Sequence, residues 1–342
     1  MVTVSIIVPM YNVEKYIQRC IESVMMQSTA WAVIECIIVD DYSSDKSFEL
    51  ASNLIGSYDG EVQFRLIKNG QNCGVSVTRN RGIRHSTGEF ILFLDADDQL
   101  KPECMSVLLN GHHAHPEADA IIGNVYENGR DQVQYNIAHP KYIDNGADAR
   151  RWMLKEKKCF LWNKLFRREM LIDNQLFFMP GIIYEDILWT YQFYAKVSSI
   201  YILPNVTYVY EYNENSITKS LQKADLLVKS YTTICKEILA NDYEKELFVE
   251  QHLFIFWALM NAVDVARRTT ISRLSSKSLS QAKRKLMNKT LSHFRLLLAL
   301  YFIIMYWPFY HITQWRLFRR YYLNISRGVE KIALLLNGLH FI

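Results

Sequence analysis

Short apolar runs alternate with amphipathic segments along the first 125 residues, and the alternation is regular. Continuous apolar runs of this length, bounded by Pro, Gly, Asp or Ser, predict buried strands. Five such strands are predicted, at Val4–Pro9, Val33–Asp41, Val62–Lys68, Glu89–Asp95 and Ala118–Tyr126.

Helical spacing of apolar residues fills the intervals between these runs. Ile17, Ile21 and Val24 repeat every three or four residues within 13–27, which predicts a helix. Further helices are predicted over 43–55, after Gly74, and from Pro102, a residue favoured at helix starts. Strand alternating with helix is typical of an α/β fold with a mostly parallel sheet covered on both faces.

Two of the predicted strands end in clusters of acid. The second ends in Asp40 and Asp41, and the fourth ends in Asp95, Asp97 and Asp98. Ligands bind beyond the carboxyl ends of parallel strands, so both clusters are expected at one edge of the sheet. Capping of the next helix explains one cluster alone. Two clusters at the same edge favour a cation-binding site over capping. Carboxylates without His or Cys nearby suit Mg²⁺ or Mn²⁺ rather than zinc.

The phosphate-binding loops of two common nucleotide folds are missing from the sequence. It contains no GxxxxGK[ST], and no GxGxxG follows the first strand. A hard metal on a parallel sheet without those loops indicates a diphosphate bridged by the metal, with few protein groups on the phosphates.

Composition divides the chain into an acidic body and a basic tail. Half of the 342 residues are apolar and 13% are aromatic, which argues against global disorder. Residues 267–342 contain 14 Lys and Arg against the single acid Glu330, leaving a net charge of −9 on residues 1–266. The tail is therefore expected to meet an anionic partner, membrane or nucleic acid. Six scattered cysteines favour a reducing compartment, and no signal peptide is expected.

The tail also contains Leu296–Tyr310, fifteen apolar residues between Arg295 and His311. A bilayer span needs about 20 residues, and Pro308 interrupts this run. Aromatic residues with flanking Arg favour an interfacial or re-entrant membrane anchor. A buried pair of core helices remains the alternative.

Four segments occur in an order that resembles a known family: "VSIIVPMYNVEKYIQRCIESVMMQS", "IIVDDYSSDKS", "NCGVSVTRNRGI" and "GEFILFLDADD". Together they are similar to the nucleotide-binding half of family 2 glycosyltransferases of the bacterial polysaccharide-synthesis type, which have the GT-A (Rossmann-like) fold. The resemblance spans about residues 3–130 and continues more weakly to about 215. It implies a GT-A domain over 1–215, with nucleotide-binding (1–130) and acceptor (131–215) halves. The pattern of the remaining residues, 216–342, predicts a helical, basic, membrane-associated extension.

The resemblance assigns a role in nucleotide-sugar binding to residues of the first half. Asp41 is expected to accept a hydrogen bond from the base, and Asp97 to bind Mn²⁺ or Mg²⁺ with Asp95, which also faces the ribose or sugar. Asp98 is expected to support either. The full set expected to bind the nucleotide-sugar in this half is Pro9, Tyr11, Glu14, Asp40, Asp41, Arg79, Arg81, Asp95 and Ala96.

Two positions depart from the family pattern near the base. Tyr42 replaces a common Gly in "DYS", and Lys46 stands at another position where Gly is common. The identity of the base is therefore left open, with uracil favoured.

The second half is expected to supply the acceptor site and the base catalyst. Family members carry an "ED" pair at the start of a helix over the sugar pocket, so Asp186 is the expected base and Glu185 its orienting neighbour. By the same resemblance Trp162 is expected to stack on a sugar and Lys164 to reach the diphosphate. The alternative for Cys159–Leu171 is an amphipathic helix with its basic residues in solvent.

The implied activity is an inverting transfer of a hexose or N-acetylhexosamine from a nucleotide-sugar, with UDP favoured, to a glycan or lipid-linked acceptor. The setting is capsule, exopolysaccharide or lipopolysaccharide synthesis on the cytoplasmic face of the cell membrane, with no nucleic-acid partner. Two alternatives stay open, a metal-dependent nucleotidyltransferase and an inactive membrane-associated scaffold.

Overall fold

A computed structural model of the chain describes residues 1–27, 32–129, 132–133, 137–156, 159–211, 224–240, 247–268 and 271–293. The chain divides into two compact units, Met1–Ser220 and Leu221–Ile342. The proposed anchor at Leu296–Tyr310 lies outside the described residues.

The first unit contains a single sheet with helices between its strands. The strands are β1 (Val2–Met10), β2 (Ala32–Asp40), β3 (Gln63–Lys68), β4 (Phe90–Phe93), β5 (Gln99–Leu100), β6 (Ala120–Asn128), β7 (Gln132–Val133), β8 (Lys141–Ile143), β9 (Lys164–Arg167) and β10 (Ile200–Glu211). The helices are α1 (Ile17–Met25), α2 (Ser47–Gly56), α3 (Val75–His85), α4 (Cys104–Ala114), α5 (Gly146–Glu156), α6 (Arg168–Asp173) and α7 (Glu185–Tyr194).

The sheet has the order β3-β2-β1-β4-β9-β6-β10-β5. Its first four strands are parallel, with Met10 beside Asp40 and Ile7 beside Phe93 in register. Because these strands run the same way, the chain segments that follow β1, β2 and β4 leave the sheet at one edge. The α/β class predicted from the alternation of strands and helices is confirmed.

The other half of the sheet is mixed, which the expectation of a mostly parallel sheet did not include. Strand β9 enters antiparallel between β4 and β6. The amphipathic helix considered for Cys159–Leu171 is therefore wrong at Lys164–Arg167, which is a strand, and only Arg168–Asp173 is helical. Leu165 and Phe166 are fully buried there, because a central strand has apolar neighbours on both faces.

Helix α3 packs unusually close to β1. A Cβ atom added to Gly82 would lie 2.3 Å from Cγ2 of Ile7, so only glycine permits this approach. The helix begins after Gly74, whose φ of 85° lies in the region that glycine favours. Helix α3 is thereby fixed against the strand that precedes the first loop.

The second unit contains three helices in its described part, α8 (Ala224–Ala240), α9 (Phe248–Arg268) and α10 (Arg273–His293), which pack on one another. Lys236 Nζ donates to Ser278 Oγ at 3.1 Å, and the Ser272 amide donates to Asp225 Oδ1 at 2.7 Å, so α10 is tied to α8. No helix within the described ranges is both long and apolar enough to cross a membrane.

Candidate active site

Asp41 connects three loops at the carboxyl edge of the sheet. It is 3% exposed, and its amide continues the β1–β2 ladder by donating to the Met10 carbonyl at 2.8 Å. Its carboxylate accepts hydrogen bonds from Asn69 Nδ2 at 2.7 Å and from the amides of Cys73 and Gly74 at 2.8 Å each. The residue expected to contact the base therefore also positions the loop after β3 and the start of α3.

The loops after β1 and β2 are joined by reciprocal hydrogen bonds. The Asn12 amide donates to Ser43 Oγ at 3.0 Å, and the Ser44 amide returns a bond to Asn12 Oδ1 at 2.8 Å. Glu14 accepts from the Lys46 amide at 3.1 Å. The two segments expected to line the nucleotide pocket are thus joined into one rim, on which Tyr11 is 42% exposed.

Three other residues expected at the nucleotide have partners inside the protein. Asp40 is fully buried and accepts from the Ser43 amide at 3.2 Å. Pro9 lies within β1 and is partly buried. Arg81 donates to the Lys68 carbonyl at 2.9 Å and to Asn69 Oδ1 at 2.6 Å. These contacts support the loops around Asp41.

The four residues after Leu94 differ in burial. Asp95 and Asp97 are partly exposed, whereas Ala96 and Asp98 are buried. Asp98 accepts from the Tyr208 hydroxyl at 2.7 Å and from the Glu211 amide at 2.8 Å, while the Asp95 amide donates to the same hydroxyl at 3.3 Å. Asp98 therefore holds the turn, and the two accessible carboxylates are those of Asp95 and Asp97.

Arg79 joins the two halves of the candidate site. Its side chain is buried, and it donates to Asp95 Oδ1 at 2.7 Å and to Glu185 Oε1. Glu185 is itself only 7% exposed. One guanidinium thereby brings the acids after β4 next to the acidic pair at the start of α7, which lies 90 positions further along the chain.

Asp186 is the neighbour of this ion pair. Burial and then the Glu185 carboxylate raise the pKa of Asp186 to about 7, while Arg79 acts in the opposite direction. Its Oδ1 accepts a hydrogen bond from the Ile187 amide at 3.0 Å, and part of its surface remains accessible. A carboxylate with a pKa near 7 is suited to general-base catalysis at neutral pH.

The residues that precede β9 form an aromatic stack and a buried ammonium. Trp162 lies parallel to Phe160 at 3.9 Å and to Tyr208 at 4.7 Å between ring centroids, so it adjoins the turn held by Asp98. Lys164 is 1% exposed and donates to the Phe160 carbonyl at 2.7 Å and to Asn163 Oδ1 at 3.0 Å. Burial lowers the pKa of Lys164 to about 7.

The carboxylates after β4 fit a hard divalent cation completed by a ligand. Burial, and after it the nearby Asp95 carboxylate, raises the pKa of Asp97 to about 6, so part of the shift comes from repulsion between the two carboxylates. Within the described ranges, no group of three or more His, Cys, Asp or Glu could hold a metal alone. One or two carboxylates plus substrate phosphates is the usual arrangement for Mg²⁺.

Sequence reasoning missed two residues that contact the same turn. Arg19 of α1 donates to the Asp97 carbonyl at 3.2 Å and lies 3.7 Å from Glu211. The Tyr208 hydroxyl bridges Asp95 and Asp98. Neither lies in a motif, and both reach the turn from distant parts of the chain, so no local signal could have found them.

Backbone strain is concentrated at this edge. Among the residues that the structure describes, five that are not glycine have positive φ. Gln175 lies at the end of α6, but the others belong to segments described above: Asn12, Tyr42, Asn163 and Tyr184. Strained residues of this kind cluster at functional sites.

Comparison with known proteins agrees with the α/β fold of the first unit. Residues 5–174 match the family described as "Glycosyl transferase family 2". The chain is 28% identical over 227 residues to the uncharacterised glycosyltransferase YibD of Escherichia coli, covering 63% of each chain. It is 32% identical over 228 residues to the putative glycosyltransferase EpsH of Bacillus subtilis, covering 64% of each.

Solved structures show the same fold. TarS of Staphylococcus aureus, in complex with UDP-GlcNAc, superposes with a TM-score of 0.65 at 22% identity, covering 82% of this chain and 79% of that one. A mannosyltransferase from Pyrobaculum calidifontis, in complex with GDP-Man and Mn²⁺, gives 0.54 at 16% identity over 82% and 79% of the two chains.

The fold of the first unit is that of these solved glycosyltransferase structures. The chain belongs to glycosyltransferase family 2 through this domain, as the resemblance of its four segments predicted. The matches cover less than two thirds of the length of the first curated relatives, about 63–64%.

Proposed function

We propose that this chain transfers a sugar from a nucleotide-sugar to a glycan or lipid-linked acceptor, with inversion at the anomeric carbon. The observation that carries the proposal is the Arg79 bridge, which holds Asp95 and Glu185 on one guanidinium. The bridge brings Asp95, which can help to hold the cation of a metal-bound diphosphate, close to Asp186, which can take a proton.

The donor proposed is a UDP-sugar with a hexose or an N-acetylhexosamine. Asp41 is an acceptor-only group, as required for the ring N–H of uracil. The TarS structure of the same fold holds UDP-GlcNAc, which supports a uridine nucleotide without fixing the sugar. Relatives named for poly(ribitol-phosphate) N-acetylglucosaminyl transfer support a polymer as acceptor.

The proposed chemistry is one in-line displacement. Asp186 removes the proton from the acceptor hydroxyl, whose oxygen attacks the anomeric carbon as the nucleoside diphosphate leaves. Such general-base catalysis contributes roughly 10²–10⁴-fold. Glu185 and Arg79 position Asp186, and the raised pKa gives it useful basicity near neutral pH.

Asp97 and Asp95 are the proposed ligands of Mn²⁺ or Mg²⁺. The cation would neutralise the charge that develops on the leaving diphosphate. The mannosyltransferase of similar fold contains Mn²⁺, which supports a divalent metal in this site. Arg79 donates to Asp95 Oδ1, which leaves the other oxygen of that carboxylate for the cation or the sugar.

The second unit is proposed to contact the cytoplasmic face of the membrane. Helix α10 contains no acid, and its residues Lys277, Arg284 and Lys285 are exposed. Lys277 lies seven and eight positions before the adjacent Arg284 and Lys285, about two helical turns, so the three lie on one side of the helix. Each cation near an anionic surface contributes about 1 kcal/mol, and this contribution falls with salt. The apolar residues 296–310 would add depth.

The proposal is tested by measuring hydrolysis of a panel of nucleotide-sugars by the full chain with Mn²⁺, Mg²⁺ or EDTA. We expect one UDP-sugar to be preferred and EDTA to abolish turnover. Asp186→Asn should stop turnover while UDP binding persists, and Asp173→Asn, an exposed carboxylate on α6, serves as the matched control.

Three results would count against it. Turnover that persists in EDTA would exclude the proposed role of the metal. Equal losses of binding and turnover in Asp186→Asn would place that residue at the nucleotide instead. Formation of a nucleotide-sugar from a nucleoside triphosphate and a sugar phosphate would identify a nucleotidyltransferase.

A further inference from the structure

Tyr42 is an aromatic residue in a backbone conformation that aromatic residues avoid. Its φ is 66°, in the left-handed region where glycine is the usual occupant. The residue is nevertheless 53% exposed, so burial of its side chain does not explain the choice of residue. A strained residue whose side chain faces solvent is a candidate for binding.

The position of Tyr42 puts its ring on the rim around Asp41. The Asp41 amide donates to the Met10 carbonyl, and Ser43 Oγ accepts from the Asn12 amide, so Tyr11 and Tyr42 both lie in the joined loops where β1 and β2 end. On one side the Tyr42 ring approaches Lys68, whose Nζ is 5.7 Å from the ring centroid.

Exposed apolar side chains are concentrated on this rim. In the described part of the first unit, six large hydrophobic residues are exposed, and three of them follow Asp41 or a residue bonded to it: Tyr11 (42%), Tyr42 (53%) and Val75 (37%). Val75 follows Gly74, whose amide donates to the Asp41 carboxylate. An apolar rim around a buried carboxylate suits a flat ligand with apolar faces and an N–H group at its edge.

We propose that Tyr42 lays its ring against the nucleobase of the donor and thereby adds to nucleotide affinity at the expense of backbone strain. This inference rests on the proposed nucleotide-sugar function and deepens it by assigning a base contact that the glycine common in the family cannot make. Stacking of a base on an aromatic ring does not depend on which base is bound, so Asp41, and not Tyr42, remains the group that reads the base.

The test separates the ring from the strain with three substitutions in the full chain. Tyr42→Phe keeps both, Tyr42→Ala loses the ring and keeps the strain, and Tyr42→Gly loses both. We expect UDP affinity, measured by calorimetry with Mn²⁺, to be unchanged in the first. It should fall roughly 5- to 150-fold in the other two.

Thermal unfolding supplies the second readout. Tyr42→Gly should melt a few degrees above Tyr42→Ala because glycine tolerates positive φ. Gln175→Gly is the matched control, since Gln175 is exposed and has a φ of 52° away from the rim. It should raise the melting temperature similarly and leave UDP affinity unchanged.

The outcomes distinguish the two proposals. Wild-type protein that binds UDP with an affinity equal to that of Tyr42→Ala would overturn the base contact and leave the proposed function standing. A loss in Tyr42→Ala that inorganic pyrophosphate shares would show a general change of the loop, which also overturns it. Wild-type protein that binds no nucleoside diphosphate would overturn both.

Discussion

Replacing Arg79 by Met removes the cation between the two acidic elements while roughly keeping the volume of the side chain. Glu185 is almost fully buried, so it would lose its cation in a place that water barely reaches. Breaking a buried pair by removing one partner costs about 3–5 kcal/mol. The Asp95 side chain is 28% exposed and can be hydrated, so losing its ion pair with Arg79 should cost at most about 1 kcal/mol of stability.

A loss of about 3–5 kcal/mol is a large part of the 5–15 kcal/mol that typically stabilises a domain. Arg79→Met is therefore expected to fold with a much lower urea midpoint. Arg81→Met on the same helix is the control, because Arg81 bonds to a carbonyl and an amide and should cost only about 1 kcal/mol. Urea unfolding followed by tryptophan fluorescence measures both, with Trp189 stacked on the Phe178 ring that Arg79 contacts.

The pH dependence gives an independent readout. Arg79 lowers the pKa of Asp186, so its removal should shift the midpoint of the activity profile from near pH 7 to higher pH. Because the folded-state pKa of Asp186 lies above its unfolded value, the native state binds more protons, and stability falls as pH rises from about 4 to 7. In Arg79→Met that fall should extend to higher pH. Equal urea midpoints for the two Met variants, or an unmoved activity profile, would refute the bridge.

Three further expectations concern the metal, the base and the membrane. Asp97→Asn should abolish transfer and remove the Mn²⁺ dependence of UDP binding; full activity in that variant would exclude the metal role. Asp41→Ala should weaken UDP binding by roughly 1–3 kcal/mol, more than it weakens ADP binding, and an unchanged base preference would refute the base contact. The same variant should have a lower melting temperature, because the amides of Cys73 and Gly74 lose their acceptor. A chain ending at His293 should keep α10 on α8 but lose salt-resistant binding to anionic vesicles; retention after a high-salt wash would contradict the anchor at residues 296–310.

The strands and helices of the first half were predictable because their signals are local. A buried strand such as β1 needs a short apolar run, and α3 needs a glycine before it, and both can be read within ten residues. The two acidic clusters could also be assigned to one edge, since parallel strands carry their ends to the same side.

The contacts across the site could not be predicted in the same way. Arg79 meets Asp95 and Glu185 only after α3, β4 and α7 have been placed, and no spacing in the sequence encodes that meeting. Strand β9 was hidden for a related reason. A strand with buried residues on both faces has no alternation, so Leu165 and Phe166 fit a helix as well as a strand.

Strain was the least predictable feature, and it bears most directly on function. Asn12 and Asn163 tolerate positive φ, whereas Tyr42 and Tyr184 each give up about 1–2 kcal/mol to adopt it. Tyr184 caps α7 and sets the direction in which Glu185 and Asp186 leave the loop. Tyr42 likewise directly follows Asp41, the acid proposed to contact the base. Such a cost persists only where the surrounding structure enforces it. The hydrogen bonds that join Asn12 to Ser43 and Ser44 supply that constraint at the loops after β1 and β2. Without them, the isolated segments would relax to unstrained backbone conformations.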